Sequence, residues 1–336
     1  MTEHPALLFR QLEDGKVQCD LCAHRCLIRP GQKGLCKVRE NRNGELFSLS
    51  YGRLIAAHVD PIEKKPLYHF LPGSTSYSIA AAGCNFRCQW CQNADISQIS
   101  PVNQPESPRF VSPERVVQAA ISSDSQSISF TYTEPSLCAE YNLEVSRLAH
   151  EEGLKTVYVT NGYMTPEMLA LTIPTLDAAN VDIKAFDEEI HRRYTGAHLQ
   201  PVLDTCVALL QAGVWLEVTT LLVPGINDDE KQLLELAEFI ATKLSPDVPW
   251  HVSRYFPQPQ FRQIPATHPD RIFHAMDIGR KAGLRYVYGG NLLASTDTDC
   301  PNCGERVVRR IGYSDPVVGL IKNACPKCGF RIAGVW

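Results

Sequence analysis

The middle of the chain alternates short apolar runs with segments that have the periodicity of amphipathic helices. The run at residues 214–223, Val-Trp-Leu-Glu-Val-Thr-Thr-Leu-Leu-Val, is almost continuously apolar, as in strands covered on both faces. Strands that alternate with helices in this way predict βα units around a parallel sheet. The predicted strand and helix pairs are 127–131 with 137–150, 156–160 with 166–171, 181–185 with 202–212, 215–223 with 229–244, and 252–255 with 270–282.

A further strand-like run at residues 77–83 brings the count to about six units, fewer than the eight of a full barrel. The predicted fold class is therefore α/β, a partial (β/α)6 barrel. Such folds place their chemistry at the carboxyl ends of the strands. We expect a cysteine-rich segment over residues 1–74, the barrel over 75–295 and a tail over 296–336.

Composition narrows the class of protein. The chain has 336 residues, of which 44% are hydrophobic, enough to bury a sizeable core. Its formal net charge of −4 gives no bulk attraction to nucleic acid or to an anionic membrane. We find neither an apolar signal-peptide segment nor an apolar run of about 18 residues, and we therefore expect a cytoplasmic protein without a membrane partner.

Thirteen cysteines fall mainly into three groups, at spacings typical of metal ligands. Without an export signal, this pattern favours reduced, metal-bound thiols over disulfides. Cys138 and Cys206 stand apart, inside helix-like apolar segments, and are predicted to be core residues. For Cys138, only four residues after Glu134, a position facing the site is the alternative.

Cys84, Cys88 and Cys91 stand within eight residues, directly after the first strand-like run. Cysteine thiolates hold [4Fe-4S] clusters, and three of them leave the fourth iron open to a small molecule. A zinc knuckle or three unrelated core cysteines are the alternatives. The C-x3-C-x2-C spacing, with Trp90 before the third cysteine, resembles the radical S-adenosylmethionine (SAM) superfamily. That resemblance implies that the amino and carboxylate groups of SAM chelate the open iron, and it implies the same partial barrel.

The second predicted strand ends in Phe-Thr-Tyr-Thr-Glu-Pro at residues 130–135, where radical SAM proteins often carry a Gly-Gly-Glu-Pro-like segment that contacts the SAM amino group. The resemblance thus makes Glu134 a SAM-binding residue. Tyr132 and Thr133 replace the two glycines, so only the Glu-Pro part matches. An ordinary turn at the strand end is the alternative.

The next two strands end in Thr-Asn-Gly at 160–162 and Asp-Ile-Lys at 182–184, which resemble SAM-pocket segments of the glycyl-radical-enzyme activases. The resemblance implies SAM contacts by Asn161, Asp182 and Lys184. Asp182 and Lys184 share one strand face because they are two residues apart, so they offer one acceptor and one donor to the zwitterionic cofactor. A structural ion pair is the alternative for these two.

Two positions depart from the activase pattern. Val159 stands where an acidic residue is usual before Thr-Asn-Gly, and Phe256 stands near the end of the sixth strand where a histidine is usual. We expect the SAM contacts to differ there.

Residues 58–73, before the first barrel strand, and residues 91–98, after the cysteine triplet, sharpen the resemblance. Together they resemble the AmmeMemoRadiSam system radical SAM enzymes, related to pyruvate formate-lyase activating enzymes. This implies AMMECR1-type and MEMO-type proteins as partners and leaves the substrate open. Without the resemblance, Lys64 and Lys65 are interpreted as a solvated surface pair, and His69 as an ordinary loop histidine.

The tail carries two C-P-x-C-G pairs, formed by Cys300, Cys303, Cys325 and Cys328, which are typical of a zinc ribbon. Four thiolates make a closed tetrahedral site that stabilises a segment too short to build its own core. We predict Zn2+ there, with rubredoxin-like iron as the alternative. The basic residues of the tail predict either a face for a protein or RNA partner or an ordinary solvated surface: Arg306, Arg309, Arg310, Lys322, Lys327 and Arg331.

Near the N-terminus, Cys19, Cys22, Cys26 and Cys36 have the spacing C-x2-C-x3-C-x9-C, which is also metal-like. The irregular spacing does not choose between structural Zn2+ and an auxiliary Fe-S cluster. We lean toward zinc.

These motifs predict an enzyme. An electron from a donor such as flavodoxin or ferredoxin would reduce the [4Fe-4S] cluster and cleave SAM to methionine and a 5′-deoxyadenosyl radical, which removes a hydrogen atom from an unidentified substrate. An activase that installs a glycyl radical on a large partner is one alternative. A zinc-dependent module that binds RNA or protein is the alternative from a different class.

Overall fold

The computed structural model describes residues 4–98, 110–292, 295–312 and 314–336. Its strands are β1 (His4–Pro5), β2 (Phe9–Gln11), β3 (Val17–Cys19), β4 (Leu27–Ile28), β5 (Arg39–Arg42), β6 (Glu45–Ser48), β7 (Leu54–Pro61), β8 (Thr75–Ala81), β9 (Ser127–Phe130), β10 (Lys155–Thr160), β11 (Ala178–Asp182), β12 (Trp215–Leu222), β13 (Trp250–Arg254), β14 (Val287–Gly290), β15 (Thr298–Asp299), β16 (Arg306–Ile311) and β17 (Ser314–Val318). Its α-helices are α1 (Ala94–Ser97), α2 (Pro113–Ser122), α3 (Ala139–Glu151), α4 (Pro166–Thr172), α5 (Glu188–Thr195), α6 (Gln200–Gln211), α7 (Glu230–Phe239) and α8 (Pro269–Lys281).

An eight-stranded sheet in the order β14-β13-β12-β11-β10-β9-β8-β7 forms the centre of the fold. Strands β8 to β14 are parallel, each reached through at least one helix, and β7 pairs antiparallel with β8 at one edge. The predicted α/β class and parallel sheet are confirmed, and β8 to β13 correspond to the six predicted strands. The seventh parallel strand, β14, was not predicted because it has four residues, two of them glycine, and so carries little strand signal.

The strands are covered on both faces, as their apolar pattern predicted. All four residues of β9 are buried, and Leu216, Val218 and Val252 in β12 and β13 are at most 1% exposed. Helix α3 buries Tyr141, Val145 and Ala149, which are four residues apart and so share one helix face.

The N-terminal segment forms two small antiparallel sheets, β1-β6-β5 and β2-β3-β4, that pack at the carboxyl end of the central sheet. Cys22 forms a β-bridge with Met164, just after β10, and the Thr165 hydroxyl donates to the Asp20 carbonyl at 2.6 Å. Strand β7 continues from this segment into the central sheet. The cysteine-rich segment is thus attached beside the strand ends that carry the predicted chemistry.

The tail forms the sheet β15-β16-β17 and shares a core with the barrel. Val307 and Val308 pack in one buried cluster with Tyr286 and Tyr288 from the β14 region. The interpretation of Arg310 as part of a basic surface is wrong. Its side chain is 6% exposed, and its guanidinium lies 4.7 Å from the ring of Tyr68, because it fills the junction between tail and barrel.

Within the described residues, every helix is too short or too polar to cross a membrane.

Candidate active site

A cavity of about 610 Å3 opens at the carboxyl ends of the parallel strands. The loops after these strands line it, together with the segment before β8 and side chains of β12 and β13. Parallel strands end at one edge of a sheet, so residues far apart in sequence meet there. The seven residues predicted to hold the cluster and SAM all border this cavity: Cys84, Cys88, Cys91, Glu134, Asn161, Asp182 and Lys184.

The cysteine loop leaves the sheet through Gly83, whose φ of +106° favours glycine. A Cβ atom at Gly83 would lie 2.6 Å from Cγ1 of Val38, so a larger residue would displace the N-terminal segment. Beyond this turn, the Phe86 amide donates to Sγ of Cys84 at 3.3 Å. The glycine thus allows the loop and the N-terminal segment to approach closely.

The surroundings disfavour free thiolates at two of the three loop cysteines. Burial raises the pKa of Cys88 to about 12 and raises the pKa of Cys84 well above its usual value. Both thiols therefore stay protonated at neutral pH until a metal displaces the proton. Within the described part of the chain, the loop cysteines do not converge to the spacing of a single-ion site, whereas the tail cysteines do. The wider spacing suits a cluster, in which each thiolate binds its own iron.

Glu134 is buried and connects the loops after β9 and β10. Its Oε1 accepts hydrogen bonds from the Thr160 hydroxyl at 2.8 Å and the Ser136 amide at 3.1 Å, and its Oε2 accepts from the Asn161 amide at 2.9 Å. Burial raises the pKa of Glu134, and these hydrogen bonds oppose the shift. Each carboxylate oxygen has two acceptor sites, so one site of Oε2 is left for a ligand. SAM binding by Glu134 stays a prediction.

Asn161 connects β10 to the cysteine loop. Its side-chain amide donates to Oδ1 of Asn85 at 2.7 Å and lies 3.7 Å from Sγ of Cys84. Its Oδ1 accepts from the Tyr163 amide at 3.0 Å. Asn161 therefore holds the loop against the sheet, whether or not it also contacts a ligand.

Asp182 and Lys184 point the same way, as their spacing predicted, and form an ion pair of 2.9 Å. Burial acts to lower the pKa of Lys184, but the charge of the Asp182 carboxylate outweighs it, and the net pKa is raised. The side chains are 25% and 17% exposed, and both border the cavity. A ligand in the cavity can therefore reach either partner of the pair.

A second ion pair, which sequence reasoning missed, lies at the edge of the cavity. Nζ of Lys65 is 2.6 Å from Oδ2 of Asp60 and its side chain is 1% exposed, whereas Lys64 binds the other oxygen at 2.7 Å and is half exposed. The interpretation as a solvated lysine pair is thus wrong for Lys65. The Tyr132 hydroxyl also donates to Asp60, and its ring lies 4.7 Å from Nζ of Lys65. Tyr132 has a left-handed φ of +65°, a backbone conformation that is uncommon for residues other than glycine.

Glu217, in β12, lies at the centre of a buried polar group below the cavity. It accepts hydrogen bonds from Nε2 of His251 at 2.6 Å and from the amides of Tyr68 and His69 at 3.0 and 2.8 Å. Burial acts to raise the pKa of Glu217, but His251 outweighs it and the pKa is lowered. His251 itself borders the cavity. His69, interpreted as a loop histidine, is instead fully buried against the tail.

The four tail cysteines converge on one point. Sγ of Cys300 lies 3.6 Å from that of Cys328, and Sγ of Cys303 lies 3.6 Å from that of Cys325. All four sulfurs lie within 4.8 Å of one another. Thiolates around one tetrahedral zinc are about 3.8 Å apart, so this spacing fits a single ion.

The four N-terminal cysteines line a second, smaller cavity beside the cysteine loop. In contrast to the tail cysteines, they do not form a single-ion group among the described residues. Cys138 and Cys206 are buried, as predicted, at 4% and 0% exposure.

Comparison with known proteins agrees with this geometry. Residues 78–237 match the radical SAM superfamily. An uncharacterized protein of Methanocaldococcus jannaschii is 38% identical over 331 residues, which cover 97% of this chain and 98% of that protein. The pyruvate formate-lyase-activating enzyme of Streptococcus mutans is 26% identical over 167 residues, which cover 48% of this chain and 64% of that enzyme.

A crystal structure of a radical SAM methyltransferase from Sphaerobacter thermophilus aligns with a TM-score of 0.50 and 16% identity, over 66% of this chain and 67% of that one, which shows a similar fold. Residues 78–237 of the chain form a radical SAM superfamily domain. It is a SAM-dependent enzyme, and the superfamily implies a [4Fe-4S] cluster.

Proposed function

We propose that Cys84, Cys88 and Cys91 hold a [4Fe-4S] cluster at the edge of the 610 Å3 cavity and that SAM binds inside that cavity. When bound, the cluster and SAM supply reductive cleavage to a 5′-deoxyadenosyl radical, which abstracts hydrogen from a substrate. The observation that supports this most strongly is that the cysteine triplet and the four predicted SAM residues border one cavity.

The polar groups of the cavity fit such a ligand. Asp182 and Lys184 present opposite charges to it, which suits the amino and carboxylate groups of SAM. Nε1 of Trp90 and Oγ1 of Thr219 are buried and have no hydrogen-bond partner among the described residues, although both side chains border the cavity. Unpaired buried groups are costly, and a polar ligand would satisfy them.

The side chains that line the cavity exclude water and leave an opening for a substrate. Tyr132 and Lys65 shield one side of the cavity, and the buried pair of Glu217 and His251 shields its floor. Exclusion of water protects a reactive intermediate from side reactions. The same walls leave an opening through which a substrate enters.

The test is anaerobic reconstitution with iron and sulfide, followed by incubation with SAM and dithionite and detection of 5′-deoxyadenosine by mass spectrometry. We expect product from the native chain and from Cys206→Ala, which removes a buried thiol remote from the cavity. Cys88→Ala should lose the product and the iron that Cys84, Cys88 and Cys91 bind. A Cys88→Ala protein that retained its iron and its activity would exclude the assignment.

For the partner, we propose AMMECR1-type and MEMO-type proteins, on the basis of residues 58–73 and 91–98. Two of these residues, Lys64 and Gln92, border the cavity mouth, where a protein substrate would contact them. Incubation with each partner, SAM and reductant, followed by mass spectrometry of the partner, tests this. An unchanged partner mass under conditions that still yield 5′-deoxyadenosine would contradict it.

A second candidate is an activase of a glycyl-radical enzyme. The alignment with the Streptococcus mutans activating enzyme and the Thr-Asn-Gly and Asp-Ile-Lys segments favour it. A stable glycyl radical on a partner, seen by electron paramagnetic resonance, would distinguish this function from hydrogen abstraction on another class of substrate.

We also propose that the tail cysteines hold one Zn2+ with a structural role, because four converging thiolates leave no open coordination position.

A further inference from the structure

The N-terminal cysteines differ from the tail cysteines in the spacing of their sulfur atoms, and this spacing distinguishes a single-ion site from a cluster site. Both sets contain four thiols, and His24 also lines the N-terminal cavity, where its Nε2 lies 2.8 Å from the Asn85 carbonyl oxygen. The tail sulfurs lie within 4.8 Å of one another, whereas no three of the sulfurs of Cys19, Cys22, Cys26 and Cys36 meet that spacing. Around one zinc, thiolate sulfurs stand about 3.8 Å apart. The N-terminal side chains would have to move inward to bind a single ion.

The same four side chains nevertheless surround one small cavity. A Cβ atom added at Gly34 would lie 3.7 Å from Sγ of Cys36 and 3.8 Å from Sγ of Cys26, so both sulfurs lie beside this glycine. The Cys19 amide donates to the Cys26 carbonyl at 2.9 Å, which closes the loop between them. The four thiols thus surround one cavity without contacting each other. The loop cysteines Cys84, Cys88 and Cys91 are arranged in a similar way at the site proposed for the [4Fe-4S] cluster.

Two side chains that line this cavity carry unpaired hydrogen-bond donors. Arg39 is 1% exposed, and its Nη2 binds Oε1 of Glu140 at 2.8 Å, but its Nε and Nη1 have no acceptor among the described residues. Asn85 is 4% exposed, and its Nδ2 also lacks an acceptor within the described chain. Buried donors without partners are uncommon, and a bound group with acceptor atoms in this cavity would satisfy those of Arg39 and Asn85.

From the sulfur spacing and these unpaired donors, we infer that Cys19, Cys22, Cys26 and Cys36 hold an iron-sulfur cluster rather than zinc. In a cluster, the thiolates bind different iron atoms and stand apart, and hydrogen bonds to the sulfurs are a known control of the reduction potential. The inorganic sulfides and the negative charge of a four-thiolate cluster would provide acceptors for Nε and Nη1 of Arg39 and for Nδ2 of Asn85. In the same cavity, Leu21, Ile28 and Leu137 keep the site dry.

This cluster would lie close to the one proposed at Cys84, Cys88 and Cys91. Asn85 lines the N-terminal cavity and directly follows Cys84, and the Cβ position of Gly83 is 3.2 Å from the Cys36 carbonyl oxygen. The assignment of the N-terminal site does not depend on SAM cleavage at the cluster proposed for Cys84, Cys88 and Cys91. Separate measurements of iron content and of SAM cleavage distinguish the two proposals.

The experiment measures iron, acid-labile sulfide and zinc in anaerobically reconstituted full-length protein. The native chain should bind two to four irons more than the first cluster requires, together with about one zinc in the tail. A variant with Cys84, Cys88 and Cys91 all changed to Ala should keep those two to four irons and an equal amount of sulfide. Cys22→Ala combined with Cys36→Ala should lose them and retain the first cluster, and Cys206→Ala should lose neither.

The native chain decides the question even if a variant fails to fold. About two zincs per chain and no iron beyond a first cluster would overturn the inference, because the N-terminal cysteines would then be a zinc site. Loss of all iron from a folded Cys84, Cys88 and Cys91 variant would overturn it as well. Retained iron in that variant, together with absence of SAM cleavage by the native chain, would support the N-terminal cluster and refute the proposed function alone.

Discussion

The Asp60 carboxylate binds two adjacent lysines in different environments, and the Lys65 ammonium, 2.6 Å away, is buried at the edge of the active-site cavity. Lys64 binds the same carboxylate but its side chain is 51% exposed. The hydroxyl of Tyr132 completes the group. One carboxylate therefore joins the segment before β8 to the loop after β9, and it compensates a charge that burial would otherwise make costly.

Replacement of Asp60 by Ala should destabilise the protein by about 3 to 5 kcal/mol, because it leaves the Lys65 charge buried and unpaired. Replacement of Lys64 by Ala, which removes the exposed partner of the same carboxylate, should cost about 0 to 1 kcal/mol. Urea unfolding of the reconstituted protein measures both. Equal effects of the two substitutions would show that the burial of Lys65 is energetically unimportant.

Replacement of Asp182 by Ala should weaken SAM binding by about 1 to 3 kcal/mol, the cost of losing a hydrogen-bond partner of a charged group. Its iron content should stay that of the native chain. Asp204→Ala, which changes an exposed carboxylate on α6, serves as the control. Calorimetry under anaerobic conditions measures the affinity for SAM. An unchanged SAM affinity in folded Asp182→Ala would show that the ion pair of Asp182 with Lys184 has only a structural role.

Stability should fall on acidification because His69 is buried without charge. Burial lowers the pKa of His69 to about 4, and the nearby Glu217 charge only partly offsets this. Between the unfolded pKa of about 6.5 and the folded pKa, the unfolded chain binds more protons, so stability is lost as pH falls through this window, by about 2 kcal/mol between pH 7 and pH 5.

The check is urea unfolding of the native chain and His69→Gln at both pH values. The variant loses the hydrogen bonds of His69 to Tyr288 and to the Ala333 carbonyl, so it should be less stable at pH 7. It should also lose less stability between pH 7 and pH 5 than the native chain does. Parallel losses in the two proteins would mean that other groups cause the acid sensitivity.

Replacement of Cys325 and Cys328 by Ser should remove the zinc and make residues after about 296 sensitive to protease, since metal binding contributes directly to the folding of such a segment. Arg331→Ser, an exposed change in the same part of the tail, should not do so. Iron content and SAM cleavage should remain largely intact. Loss of the barrel cluster in the double variant would refute a purely structural role for the tail site.

The tail is also held by contacts that do not involve metal. The Val335 amide donates to the His69 carbonyl at 2.7 Å, and Tyr68, Tyr286 and Tyr288 pack against the tail core. We therefore expect the protease-sensitive region to begin within the tail and not at its junction with β14.

The sequence by itself determined the α/β class, six of the seven parallel strands and the cysteine sets. These features are local: the apolar runs of the strands, the helix periodicity between them and the spacing of Cys84, Cys88 and Cys91 can each be recognised within a short window. Because the carboxyl ends of parallel strands lie at one edge of a sheet, the residues that follow these strands were expected to lie close together. Glu134, Asn161, Asp182 and Lys184 do border one cavity.

Only the tertiary structure decided which charged side chains are buried and what they bind. Lys64 and Lys65 are adjacent and chemically identical, and Asp60 and Tyr132, which distinguish them, are brought together from separate loops. Arg310 and Arg309 are also adjacent, yet Arg310 alone is buried because Tyr68 lies over it. Likewise, the spacing of the N-terminal cysteines along the chain did not choose between zinc and an Fe-S cluster, and the sequence prediction leaned toward zinc. The separation of their sulfurs and the unpaired Nε and Nη1 of Arg39 exist only once the chain has folded, because burial and distance depend on contacts between residues remote in sequence.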